Sequence, residues 1–183
     1  RVDRRQRQMC IRDRWNSAFS VYERFSHASE WLETVPGFPR EFEYRDMIQV
    51  AMKLSQQLRL GEHRCDVIIA ITHCRLPNDV KIANALGAVA NTDPSKNGVD
   101  LILGGHDHEY YIGRGIESYE GSDFDTEMPG SENDENSFII KSGTDFHDLS
   151  AVEITLSEPH PPTAVRRRTI EHVKGMYNVL TRF

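Results

Sequence analysis

Three histidines stand at a spacing that could hold a metal ion. His73 follows the apolar run 66–72, and His106 and His108 follow the apolar run 99–103 across Gly104 and Gly105. In extended chain, residues i and i+2 point to the same side, so His106 and His108 can face one site together. Neutral imidazole is a ligand for Zn, Fe, Ni and Mn. The two glycines carry no side chain, which lets the backbone turn sharply and approach a ligand closely. Cys74 follows His73, and a thiolate also binds metals, although packing beside the strand is the simpler reading. Asp107 lies between two of the histidines, where it could either orient an imidazole or face solvent. His27, His63, His160 and His172 lack any such spacing and read as surface residues.

These residues need elements to position them. From Asp46 to Leu60, the residues Met47, Val50, Ala51, Leu54 and Leu58 recur at helical spacing, and Gly61 is a stop. The run 66–72 is continuously apolar and β-branched, the pattern of a strand buried on both faces in a parallel sheet. Pro77, Asn78 and Asp79 offer a helix start, with Val80, Ile82, Ala83 and Leu86 as its apolar positions and Gly87 as its end. Residues 99–103 are a second buried strand. Helix, strand, helix, strand over 46–103 is an α/β pattern with a right-handed crossover. Both histidine segments then fall just beyond the carboxyl ends of parallel strands, the usual place for a ligand in such sheets. Further along, 113–136 reads as a long loop and 138–141 as a short strand. In 151–156, Val152, Ile154 and Leu156 alternate with Glu153 and Thr155, and 164–173 is also strand-like, with more β structure toward Phe183.

The blocks around the histidines resemble the calcineurin-like metallophosphoesterases. Gly105-His106-Asp107-His108 matches that family's G-H-x-H motif, and Ala70-Ile71-Thr72-His73 matches the lone-histidine motif preceding it. The 5′-nucleotidase branch is similar over longer blocks: Ile71 to Asp79, Asp100 to His108, and Lys141 to Phe146. The resemblance spans about residues 31–173. It implies the α/β class in a particular form, a partial four-layer α-β-β-α sandwich of mixed sheets with flanking helices. It also implies two divalent metal ions (Zn, Mn, Fe or Mg), with His73 and His106 on one and His108 on the other. In the family a hydroxide bridging the metals attacks phosphorus in line, while the metals neutralise the charge that builds on the phosphoryl oxygens. Ser142 and Gly143 would line the phosphate region. Asn78 and Asp79 would lie near the site mouth, though as residues they read most simply as a helix cap.

The family's D-x-H, G-D-x-x-D and G-N-H-[D/E] motifs have no counterpart upstream of His73. The chain contains no Gly-Asp, Gly-Asn or Asn-His dipeptide, and the D-x-H of Asp145-Phe146-His147 lies downstream, inside a block already matched. Residues 15–183 are therefore expected to be the C-terminal part of a metallophosphoesterase domain. The expected function is metal-dependent phosphoric ester hydrolysis, 5′-nucleotidase-like, on a phosphate monoester or nucleotide, with this chain inactive alone. The alternative is a non-catalytic metal-binding or interaction module derived from the same fold.

Composition sets the outer limits. No apolar run nears the roughly 20 residues of a membrane span, no charged start with an apolar stretch reads as a secretion signal, and three cysteines without a CxxC pair lean toward a reducing compartment, the cytoplasm. The net charge of −6 reflects one segment, since residues 117–135 hold eight acids and no Lys or Arg. Residues 1–14 hold six Arg and two Asp without periodicity or cap, and read as an extension or artefact outside the fold. No aromatic residues or fold motif accompany those arginines, so nucleic acid is not expected as a partner.

Overall fold

The computed structural model describes residues 45–62, 64–119, 128–144 and 148–179. The 1–14 extension, the aromatic segment up to residue 44, and Asp145, Phe146 and His147 lie outside the described residues.

The first helix among the described residues, α1 (Met47–Leu60), begins where the sequence places it. The Asp46 side chain caps it by accepting from the Gln49 backbone N–H at 2.9 Å, and Gly61 ends it. Its inward stripe is Met47, Ala51, Ser55 and Arg59. The buried Ser55 returns its hydroxyl to the Ala51 carbonyl at 2.6 Å. Arg59 is buried because it is paired: its guanidinium reaches Asp100 at 2.5 Å and the Gly98 carbonyl at 3.1 Å. The other side of Asp100 binds Arg166, which is fully buried and also donates to the carbonyls of Leu86 and Lys96.

Strand β1 (Ile69–Ile71) leads into α2 (Leu76–Leu86), which crosses over to β2 (Leu101–Gly104). Helix α2 starts one turn earlier than Asn78-Asp79 would suggest. Arg75 is its N-cap, because Pro77 fits the first turn, where no backbone N–H is needed. Gly87 ends it at φ 77°, a left-handed cap that glycine adopts without steric cost. Then come β3 (Tyr110–Ile112), β4 (Glu117–Tyr119), β5 (Ile139–Ser142), β6 (Asp148–Leu156) and β7 (Ile170–Val179). Neither β3 nor β4 was expected from the sequence. The strand expected from residue 164 begins only at Ile170, because Arg166 is held in turn structure by its buried carbonyl and carboxylate partners.

Two sheets result. One has the order β1-β2-β5-β3, with β1, β2 and β5 parallel and β3 antiparallel to β5. The other has the order β4-β7-β6. Alternation along the first sheet feeds two separate cores. Ile102, Ile139 and Tyr111 join Met47, Ala51, Leu76, Val80, Ala83 and Leu86 on the helix side. Leu101, Ile140 and Ile112 point the other way, onto Ile170 and Val173 of the second sheet. Val152, Ile154 and Leu156 pack on this second core while Glu153 and Thr155 are exposed, as their alternation requires. The class is mixed α/β, with a mixed sheet and two helices among the described residues. No helix among them is long and apolar enough to cross a membrane.

Candidate metal centre

The β1–β2 pairing continues past the strand ends and carries the two histidine segments together. The Thr72 N–H donates to the Leu103 carbonyl at 3.0 Å, and the Gly105 N–H donates to the Thr72 carbonyl at 3.1 Å. The next residues on each side are His73 and His106. Their ring centroids lie 5.3 Å apart with the planes at 63°. Two imidazoles bound to one cation through nitrogens at about 2.0–2.1 Å, at about the tetrahedral angle, have centroids about 5 Å apart. The observed separation matches that spacing, and it is equally the spacing of an edge-to-face ring contact.

The preceding glycines explain how the rings fit. A Cβ on Gly105 would stand 3.2 Å from His73 Nδ1. A Cβ on Gly104 would stand 2.7 Å from Asp79 Oδ2 and 3.1 Å from Lys141 side-chain carbons. Gly104 thus leaves space for a buried charge cluster on the helix side, and Gly105 leaves space for the His73 ring.

His106 and His108 do not follow the extended-chain rule. Both have left-handed backbones, at φ 84° and φ 60°. The pleat that would have aligned their side chains is therefore absent. His106 is half-buried and His108 exposed. Among the described residues, no group of three or more His, Cys, Asp or Glu side chains gathers to hold a metal ion. The structure thus brings His73 and His106 into ring contact, and His108 stands at the surface beyond them. Left-handed backbone in non-glycine residues is costly, and such positions cluster where function constrains the chain.

Asp107 does not face away into solvent. Its Oδ2 accepts from the Leu76 backbone N–H at 2.8 Å and from Lys141 Nζ at 2.7 Å, and its Oδ1 lies 3.6 Å from His106 Nδ1. Cys74 is buried in the helix-side core, as the packing reading expects. Asp79 serves as no cap. It is fully buried, accepts from the Thr72 hydroxyl at 2.6 Å and pairs with Lys141 at 2.8 Å. Burial pushes its carboxyl up to about 6, against the opposing pull of the Lys141 charge and of the hydrogen bonds from Lys141 and Thr72.

A cleft of about 380 Å³ opens beside His73, between the two sheets. Ile71, Leu103, Ile140 and Val152 form its apolar wall, and Ser142 and Ser150, hydroxyl to hydroxyl at 2.9 Å, stand with His73 among its polar groups. Ser142, expected near a phosphate, therefore shares a cleft with the first candidate ligand.

Sequence reading missed the role of Lys141. A signal was present: a lysine directly after the apolar run Phe138-Ile139-Ile140, in a strand too short and apolar to be a surface element, needs a buried acid.

Compared with protein-family models, with curated proteins and with solved structures, the chain matches none.

Proposed function

We propose that this chain belongs to a metal-dependent phosphoric ester hydrolase of the calcineurin-like kind, nearest the 5′-nucleotidases, acting on a phosphate monoester or nucleotide in the cytoplasm. The observation that supports it is the meeting of His73 and His106 beyond adjacent parallel strands, with rings 5.3 Å apart. A mixed α/β arrangement, with the helices against one face of the first sheet and the second sheet against the other, supports this reading. In this reading His73 and His106 hold one divalent cation and His108 a second. Such cations, when bound, neutralise phosphoryl charge and lower the pKa of bound water toward neutrality. The chain's own residues contribute placement. Gly105 admits the His73 ring, Asp107 faces His106 Nδ1, and the cleft beside the exposed His73 sets an apolar wall next to its polar groups.

These 183 residues offer at most three of the expected ligands, so little turnover is expected from them alone. The test is equilibrium dialysis against Zn and Mn, with phosphate release from AMP and an aryl phosphate measured in parallel. Cation binding that is lost in His73→Ala and in His106→Ala, and that tightens with added phosphate, supports the reading. Absence of any cation binding overturns it. Because only two of the three histidines come into contact, a second reading stands beside it: a non-catalytic module holding one cation. A stoichiometry of one, indifferent to phosphate, would favour that module.

A further inference from the structure

Lys141 has no part in the histidine motifs, yet it touches every segment that carries them. We propose that Lys141, acting through Asp107, is a positioning residue that fixes the orientation of His106 and its distance from His73. The proposal rests on the reading of that pair as a cation site.

Lys141 lies in β5 and is 1% exposed. Its Nζ is 2.7 Å from the carbonyl of Cys74, 2.7 Å from the carbonyl of Gly105 and 2.7 Å from Asp107 Oδ2. It is 2.8 Å from Asp79 Oδ2 in the first turns of α2. Cys74 is the residue after His73, and Gly105 is the residue before His106. One ammonium therefore ties the two histidine-bearing loops to each other, to the helix between them and to a third strand. An ammonium has three N–H donors, and four acceptors already surround this one. None is left for a ligand, so Lys141 is not itself the group that receives a phosphate.

Stability alone does not account for the cluster. A buried ion pair is often no better for stability than apolar residues of similar volume, and the residues of β5 before Lys141, Ile139 and Ile140, are buried and apolar. The cluster does supply direction. With Oδ2 of Asp107 pinned by Lys141 and by the Leu76 N–H, Oδ1 is left facing His106 Nδ1 at 3.6 Å. At 3.6 Å the contact is electrostatic and not a hydrogen bond; a carboxylate charge on that side of the ring favours the tautomer with its proton on Nδ1 and Nε2 as the ligand atom, the arrangement that outer partners commonly give metal-binding histidines.

The test uses the full 183-residue chain titrated with Co(II), followed by calorimetry and by visible absorption, which reports ligand geometry at the ion. Two variants are compared with the parent. Asp107→Asn removes the charge facing His106. Lys141→Met combined with Asp79→Asn removes the ammonium together with the fully buried Asp79 carboxylate, and leaves the partly exposed Asp107 with the Leu76 N–H alone. Affinity is expected to fall about 10- to 100-fold in each, with an altered Co(II) spectrum, and Asp107→Asn, which keeps an acceptor for Lys141 and the Leu76 N–H, is expected to remain folded with a lowered urea midpoint. If the parent binds Co(II) and both variants match its affinity and spectrum, the positioning role is wrong while the cation site stands. If the parent itself binds no Co(II), the site and the positioning role fall together. If the double variant does not fold, Asp107→Asn decides alone.

Discussion

Nδ1 of His73 stands 3.2 Å from where a Cβ on Gly105 would lie, so the loop after β2 holds that ring where it is without a clash because residue 105 is glycine. Gly105→Ala is expected to push the imidazole by a few tenths of an ångström and weaken cation binding severalfold. Its stability should stay within about 1 kcal/mol of the parent. Gly104→Ala is a harsher change, since its methyl meets the Asp79–Lys141 pair. It should cost about 1–3 kcal/mol. Urea denaturation and metal titration of the two variants separate these effects.

Asp100 is shared by two buried arginines, Arg59 on one oxygen and Arg166 on the other. Asp100→Ala leaves both uncompensated in the interior. The expected loss is about 3–5 kcal/mol, read as a large drop in the urea midpoint or as failure to fold.

Asp79 ionises at about 6 in the folded chain against an ordinary value of 3.8. Between those values the folded state keeps a proton that the unfolded state has released. This group's contribution therefore favours folding most below about pH 4, declines as pH rises to about 6, and stays lower above that, by on the order of 2–3 kcal/mol. The difference in unfolding free energy between parent and Asp79→Asn should shift across that window in favour of the variant. A difference that is flat from about pH 4 to 7 would show that the carboxyl is not perturbed.

His106 holds φ 84°, a region that costs any residue with a Cβ. His106→Gly should therefore be more stable than His106→Ala by about 1 kcal/mol, while both lose the cation. Thermal or urea unfolding of the two variants reads the backbone term free of the ligand term.

Much of this frame is legible in the sequence because burial and period leave direct marks. Helix α1 carries its own cap at Asp46 and its stop at Gly61. The run leading to His106 is apolar on both sides because its strand is sandwiched, as the opposite facing of Leu101 and Ile102 shows; the run leading to His73 forms an edge strand whose residues are only half-buried, although Ile69 and Ala70 also face the two cores. Strand β6 shows its inward face in Val152, Ile154 and Leu156. What stayed hidden depends on partners distant in sequence. Arg166 opens a run of three arginines that reads as surface, yet it is fully buried on Asp100. Strand β3 has three residues, too few to show a period, and forms because Tyr110–Ile112 find β5. The orientation of His106 and His108 is set by left-handed backbone, which no alternation rule encodes. Asp79 reads as a cap, and only the position of Lys141 shows why it is buried instead.

Thr72 gives its N–H to Leu103 and takes the N–H of Gly105 on its carbonyl. One residue is thereby stitched on both sides to the neighbouring chain at the very rim of the sheet. Fraying at this rim cannot release one imidazole and spare the other. Amide deuteration at Thr72 and Gly105 should proceed in step, and any agent that loosens either loop should dismantle the pair as a unit.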